Sequence, residues 1–296
     1  MRSLILILFL AGCAAPSSGI DWFEHTQMLR ISGDMRTERV PDDAPISRDT
    51  LTQNFRKIAF EVEENPIGVA GGARQSNDDP HLRKWLKPAR YEVFALGEDE
   101  SRISPMVKSY LLRLATITGH PIPRRSTDPQ DAEAARLFVI YGPDEVFAWF
   151  VNTYLEPSGA DNTSHFLSDL AVLINRWRFA PSPCAGQVTR RSGNREGTYK
   201  GEILMGVVLI KREIPDNLLE TCVEEELAQT MGLLNDDKNV RPSIFNDDQE
   251  FALLTRHDEL LLRILYDRRL TPGMAPETAM PIVDQIISEL VPDSRS

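Results

Sequence analysis

Glu225-Glu226-Leu227-Ala228-Gln229-Thr230-Met231-Gly232-Leu233-Leu234-Asn235 is the stretch from which the fold is read. With Val223 ahead of it, Leu227, Met231 and Leu234 recur at helical spacing, which makes one apolar stripe. The spacing predicts a helix over 215–234, with Pro215 at its start and Asp216 in its first turn, where capping favours both. On the N-terminal side, Glu202 to Ile210 reads as a strong strand. On the C-terminal side comes a turn at Ser243-Ile244-Phe245-Asn246-Asp247. A helix from Thr255 to Tyr266 follows, with Thr255 as N-cap and Asp258 three residues on, close to a capping box. Glu277 to Leu290 is a last helix.

Further upstream, Leu51, Phe55, Ile58, Ala59 and Val62 lie on one helical face, and Gly68 to Pro80 reads as a loop. Arg90 to Leu96 alternates as a strand, and Val107, Leu111, Leu114 and Ile117 mark a helix ending at Gly119. Leu137 to Tyr141 is short and wholly apolar, as a central strand is, and Ser164 to Trp177 is a further helix, read as an insertion. Together these elements predict the α+β class: a small mixed sheet packed with helices.

The first residues have another purpose. Arg2 precedes the apolar run Leu4 to Leu10, and the small residues Ala11 and Gly12 lead into Cys13, the pattern of a secretory signal. The run is far shorter than the roughly 20 apolar residues that span a bilayer. Leu10-Ala11-Gly12-Cys13 resembles the lipobox of bacterial lipoproteins. That resemblance implies a signal peptide over 1–12, cleavage before Cys13, lipidation (palmitate included) of Cys13, and a partner in the lipid bilayer. The competing reading is an ordinary signal with an incidental cysteine. A lipidated tether over 13–30 and a single domain over 31–296 complete the expected organisation. Ala14, in place of Asp, favours the outer membrane over the inner by the sorting of enterobacterial lipoproteins, with the domain facing the periplasm.

Composition narrows the function. The 296 residues carry 44 acidic against 33 basic side chains, a formal net charge of −11. Such a surface repels phosphate backbones, so nucleic acid is not an expected partner. Arg190, Arg191 and Arg195 are the local exception and read as a solvated loop. Besides Cys13, the only cysteines are Cys184 and Cys222. In an oxidising compartment an even pair suggests a disulfide, worth about 3–4 kcal/mol by the chain-entropy argument. Two free buried thiols are the alternative, and a metal site is poorly supported without C-x-x-C or paired histidines.

The segment around Glu226 resembles the metzincin pattern H-E-x-x-H-x-x-G-x-x-H. Glu226 and Gly232 match, whereas the three metal-ligand positions fall on Glu225, Gln229 and Asn235, none of them histidine. Phe245 stands where the Met-turn would have its methionine, and Thr255, Asp258, Leu265 and Tyr266 resemble the closing helix of matrixin-like proteases. The resemblance implies a zincin-like half with an active-site-type helix, a Met-turn-like loop and a closing helix, depleted of zinc ligands.

A narrower resemblance covers most of the mature chain. Glu-Leu-Ala-Gln229, Gly-Leu-Leu-Asn-Asp236, Ser243 to Asp247 and Leu265-Tyr-Asp-Arg-Arg-Leu-Thr-Pro-Gly-Met274 are similar to the bacterial family called domain of unknown function 2927. Arg36-Thr37, Asp43-Ala44-Pro45, Asn54-Phe55 and Lys84-Trp85 fit it as well. That family name implies a fold and no activity.

The chemistry left open is limited. Glu225 could ligate a metal, but Gln229 and Asn235 offer neutral amide oxygens, which suit zinc poorly. The five histidines, His25, His81, His120, His165 and His257, include no pair three or four apart. Without a metal-activated water, Glu226 is a weak general base and is kept only as a vestigial catalytic candidate. No metal and no cofactor is therefore expected. Glu224-Glu225-Glu226 also reads as a polar helix stripe favoured by the dipole, Phe245 as plain core, and His257 as a surface residue beside Asp258. Asp236-Asp237 and Asp247-Asp248 read as solvated turns, with a hard-cation site as the alternative. The functional expectation is an envelope lipoprotein that binds or scaffolds, with an envelope protein or peptide as ligand class. The rivals are a hydrolase of envelope peptides or wall polymers with an atypical metal site, and a purely structural envelope protein.

Overall fold

In the computed structural model, residues 21–61, 80–126, 136–155, 164–191, 199–246 and 248–292 are described. The signal segment, Cys13, Asp247 and nearly all of the loop expected over 68–80 lie outside them.

Four strands form one sheet: β1 (Tyr91–Phe94), β2 (Leu137–Gly142), β3 (Cys184–Arg190) and β4 (Ile203–Lys211). Their order is β1-β2-β4-β3. β1 and β2 run parallel, as do β2 and β4, while β3 closes one side antiparallel to β4 with Cys184 opposite Ile210. Alternation within β2 and β4 sends neighbouring side chains to opposite faces. Val139, Tyr141, Val208 and Ile210 therefore enter one core, whereas Ile140, Val207 and Leu209 enter a second on the other side. Helices cover both faces, which is why these strands read as unbroken apolar runs. The chain is an α+β protein with a mixed sheet packed by helices, as the sequence predicts.

The larger core lies under α2 (Arg48–Phe60), α3 (Glu98–Thr118), α6 (Asp216–Gln229), α7 (Arg256–Leu265) and α8 (Pro276–Leu290). The smaller lies under α4 (Asp144–Phe150), its π-helical continuation Val151–Leu155, and α5 (Ser164–Trp177). An α-helix, α1 (Trp22–Ser32), occupies sequence assigned to the tether. Asp21 caps it by accepting from the Phe23 and Glu24 amides, and Trp22 is buried at its start.

Three further elements depart from the sequence reading. α4 and β3 were not anticipated, because Asp144–Phe150 is short and Cys184–Arg190 lacks clean alternation. The helix expected to reach Leu234 stops at Gln229. Gly232, at φ +115°, turns the chain there, and its Cα approaches the Arg83 carbonyl so closely that a Cβ would stand 2.1 Å from that oxygen. Both the backbone angle and the contact demand glycine at this position.

The disulfide between Cys184 and Cys222 is present and fastens the start of β3 to α6.

Candidate functional site

α6 packs on β3 and β4 and places its acidic run in three different environments. The polar-stripe reading is corrected here: Glu224 and Glu226 are buried, and Glu225 is half-buried. Glu224 accepts a fork from Arg39, Oε2 to Nη1 at 2.9 Å and Oε1 to Nη2 at 2.7 Å, and its Oε2 also accepts from the Leu254 amide at 2.7 Å. Arg113 of α3 stands 3.6 Å away. A buried carboxylate is tolerable when charge and hydrogen bonds compensate it, and Glu224 has both. Its charge together with burial raises the Tyr110 phenol far above its ordinary range, burial being the larger cause.

Glu226 lies against β3. A Cβ on Gly186 would stand 2.7 Å from its Oε2, so a larger residue there would push the Glu226 carboxylate aside. Gln229 donates both ways to Asp236, at 3.0 and 2.8 Å. Asn235 is buried and its amide donates to the Lys57 carbonyl at 3.4 Å, toward α2. Thus two of the three ligand-equivalent side chains are directed to protein partners of their own. Among the described residues, no group of three or more His, Cys, Asp or Glu is gathered as a metal would require. Asp237 pairs with Lys57 at 3.1 Å, and that contact and the Asn239 bonds outweigh burial to hold its carboxyl below the usual range.

Beneath α6 the 242–246 turn is bolted to the start of α7. Phe245 is fully buried in the main core. Asp258 is also fully buried. It accepts from Ser243 Oγ (2.6 Å), the Ile244 amide (3.0 Å), the Thr255 amide (2.8 Å) and Thr255 Oγ1 (2.9 Å). The capping box expected from Thr255 and Asp258 is therefore complete. His257 corrects the surface reading: it is wholly buried, between Asn54 Nδ2 at 2.9 Å and Asp258 Oδ1 at 3.2 Å. With the Asn54 amide donating to Nε2, Nδ1 carries the proton and donates to Asp258. Ser243 bonds the carboxylate rather than the imidazole, so the trio is a structural clasp and lacks the nucleophile–base contact of a catalytic triad.

The segment 81–85 supplies Arg83, which sequence reading passed over, and gives Lys84 and His81 buried settings that it did not foresee. It runs beside the start of β4, Lys84 N–H donating to the Gly201 carbonyl and Ile203 N–H to the Lys84 carbonyl. Lys84 is buried and donates to the carbonyls of Leu265 and Leu270 at 3.0 and 2.9 Å, while burial lowers its ammonium to about 8. Arg83, next to it, is fully buried. Arg190 of β3 lies close by, with Nη1 3.5 Å from His81 Nε2. This corrects the reading of Arg190 as part of a solvated loop: it is a half-buried strand residue, and Arg191 pairs with Glu202 at 3.1 Å. No local signal marks these residues, because a run such as His-Leu-Arg-Lys reads as surface.

The described cavities open on the opposite side of α6. One, about 290 Å³, lies among Arg39, Met106, Tyr110, Arg113, Glu220 and Glu224. The other, about 420 Å³, continues along α3 to Glu259 and Arg263.

A mixed sheet with one antiparallel edge strand, a helix carrying buried carboxylates and a clasped turn define an α+β class of protein. The family model described as protein of unknown function (DUF2927) matches residues 48–285, and the chain belongs to that family. No curated protein and no solved structure matches it.

Proposed function

We propose that the protein is an exported lipoprotein, anchored through Cys13 in the cell envelope, whose domain binds an envelope protein or peptide and does not hydrolyse it. The observation that carries the second half is the commitment of Gln229 to Asp236 and of Asn235 to the Lys57 carbonyl. A zincin needs three ligands free to converge on one ion and a glutamate facing the bound water. Here two of those positions are neutral amides already used within the fold, and Glu226 is pressed against Gly186. On this reading the helix, turn and closing helix are a zincin-like frame kept for its shape. The disulfide is in keeping with an oxidising compartment outside the cytoplasm.

Two experiments test it. Cys13→Ser should leave uncut precursor in the producing bacterium and remove acyl label from the chain; full acylation of the variant would overturn the anchor. Protein purified from its own envelope should hold no stoichiometric zinc, and Glu226→Gln should change no peptidase activity. Bound zinc, with activity lost in that variant, would replace this reading with the hydrolase.

A further inference from the structure

We propose that Arg83, with Arg190 beside it, binds the carboxylate group of a ligand at the seam between segment 81–85 and the end of β3. The proposal rests on neither the membrane anchor nor the zincin-like frame.

The fold compensates its other buried or half-buried cations from within. Lys84 has three backbone carbonyls around its Nζ, and Lys211 donates to the Ala180 carbonyl at 2.6 Å. Arg39 is forked onto Glu224 and Arg178 onto Asp144. Arg83 differs from all of these. Its side chain is fully buried, and Nε, Nη1 and Nη2 are each without a hydrogen-bond partner. A guanidinium presents five N–H donors and stays charged, so removing it from water with none of them satisfied is among the costliest things a fold can do. The charged group that acts on it is a second cation, Arg190, whose one described side-chain contact is the His81 ring.

Burial and the mutual repulsion act on both groups: burial foremost, then Arg190, lower Arg83 to about 9, and burial with both arginines lowers His81 to about 4. The geometry also explains why the arginine is held so firmly. Gly232 abuts the Arg83 carbonyl, and the neighbouring residues 82 and 84 are paired to residues 273, 274, 201 and 203, so the backbone cannot withdraw the side chain to water.

Among the described residues neither cation has a carboxylate of its own, and an anion from outside completes them. The rigid fork of a guanidinium matches two oxygens on one centre. A singly charged carboxylate fits better than a phosphate, because the second charge of phosphate would add to the desolvation cost in a site this deeply buried. Arg190 is only half-buried, so of the two cations it is the one that meets solvent.

The test uses the intact protein at fixed ionic strength and pH 7.5. N-acetylalanine is titrated, with N-acetylalaninamide as the uncharged control and inorganic phosphate as the other anion. Melting temperature and calorimetric affinity are read. Expected are a saturable rise with the acid, none with the amide, and a weaker one with phosphate. Arg83→Met and Arg190→Gln should each weaken the acid at least ten-fold. Without ligand, Arg83→Met should melt no lower than wild type, since it removes an uncompensated charge. Equal responses to acid and amide, a stronger response to phosphate, or unchanged affinity in Arg83→Met would each overturn the proposal. So would a lower melting point of the ligand-free Arg83→Met, which marks a structural arginine. Failure of that variant to fold counts in the same way, and unchanged affinity in Arg190→Gln overturns the proposal independently.

Discussion

Replacing Asp258 by alanine should cost this protein a large part of its stability. The carboxylate is fully buried and has five donors within reach: Ser243 Oγ, the Ile244 amide, the Thr255 amide, His257 Nδ1 and Thr255 Oγ1, the last sharing its one proton with the Pro242 carbonyl. A hydrogen bond to a charged acceptor contributes about 1.5–3 kcal/mol, and a buried donor left unpaired costs about 1–3 kcal/mol. Bonds in one network do not add, and single substitutions rarely exceed about 4–5 kcal/mol, so the expected loss is about 4–5 kcal/mol. Against the roughly 5–15 kcal/mol that domains possess, that is about a quarter or more of the total. At about 2–4 °C per kcal/mol the melting temperature should fall by roughly 8–20 °C. Urea unfolding with the disulfide intact measures it directly. Ser243→Ala, which removes one of the five donors, should cost only about 1–2 kcal/mol, and the double variant should lose less than the sum of the two. An Asp258→Ala protein within about 1 kcal/mol of wild type would refute the claim that this carboxylate clasps the 242–246 turn to α7.

Reducing Cys184–Cys222, or replacing both by alanine, opens a loop with a separation of 38 residues and should cost about 4 kcal/mol by the chain-entropy relation; an unchanged urea midpoint would contradict a structural role. Acid should also destabilise the fold through His81. Its imidazole is held neutral to about 4 against an ordinary 6.5, chiefly by burial. This stability is complete above pH 6.5 and is lost as pH falls toward 4, with a slope of at most about 1.4 kcal/mol per pH unit. His81→Gln should flatten the pH profile in that window, and an identical slope in the variant would show that other groups cause it.

Much of the frame was legible along the chain. The apolar stripe of Val223, Leu227 and Met231, the Thr255–Asp258 box and the unbroken apolar strands 137–141 and 203–210 follow from local spacing, because each element must turn an apolar face to a core. Two cysteines were enough to suggest the bridge. What fills the frame was decided elsewhere. Glu224 reads as solvated until Arg39, a distant residue in sequence, folds over it; His257 reads as surface until Asn54 arrives from α2. Arg83 and Lys84 stand side by side in the sequence, yet three carbonyls meet one and none meets the other. Periodicity reports which face of an element is apolar. Whether a buried charge is compensated depends on groups brought in from other elements, and only the tertiary packing places those.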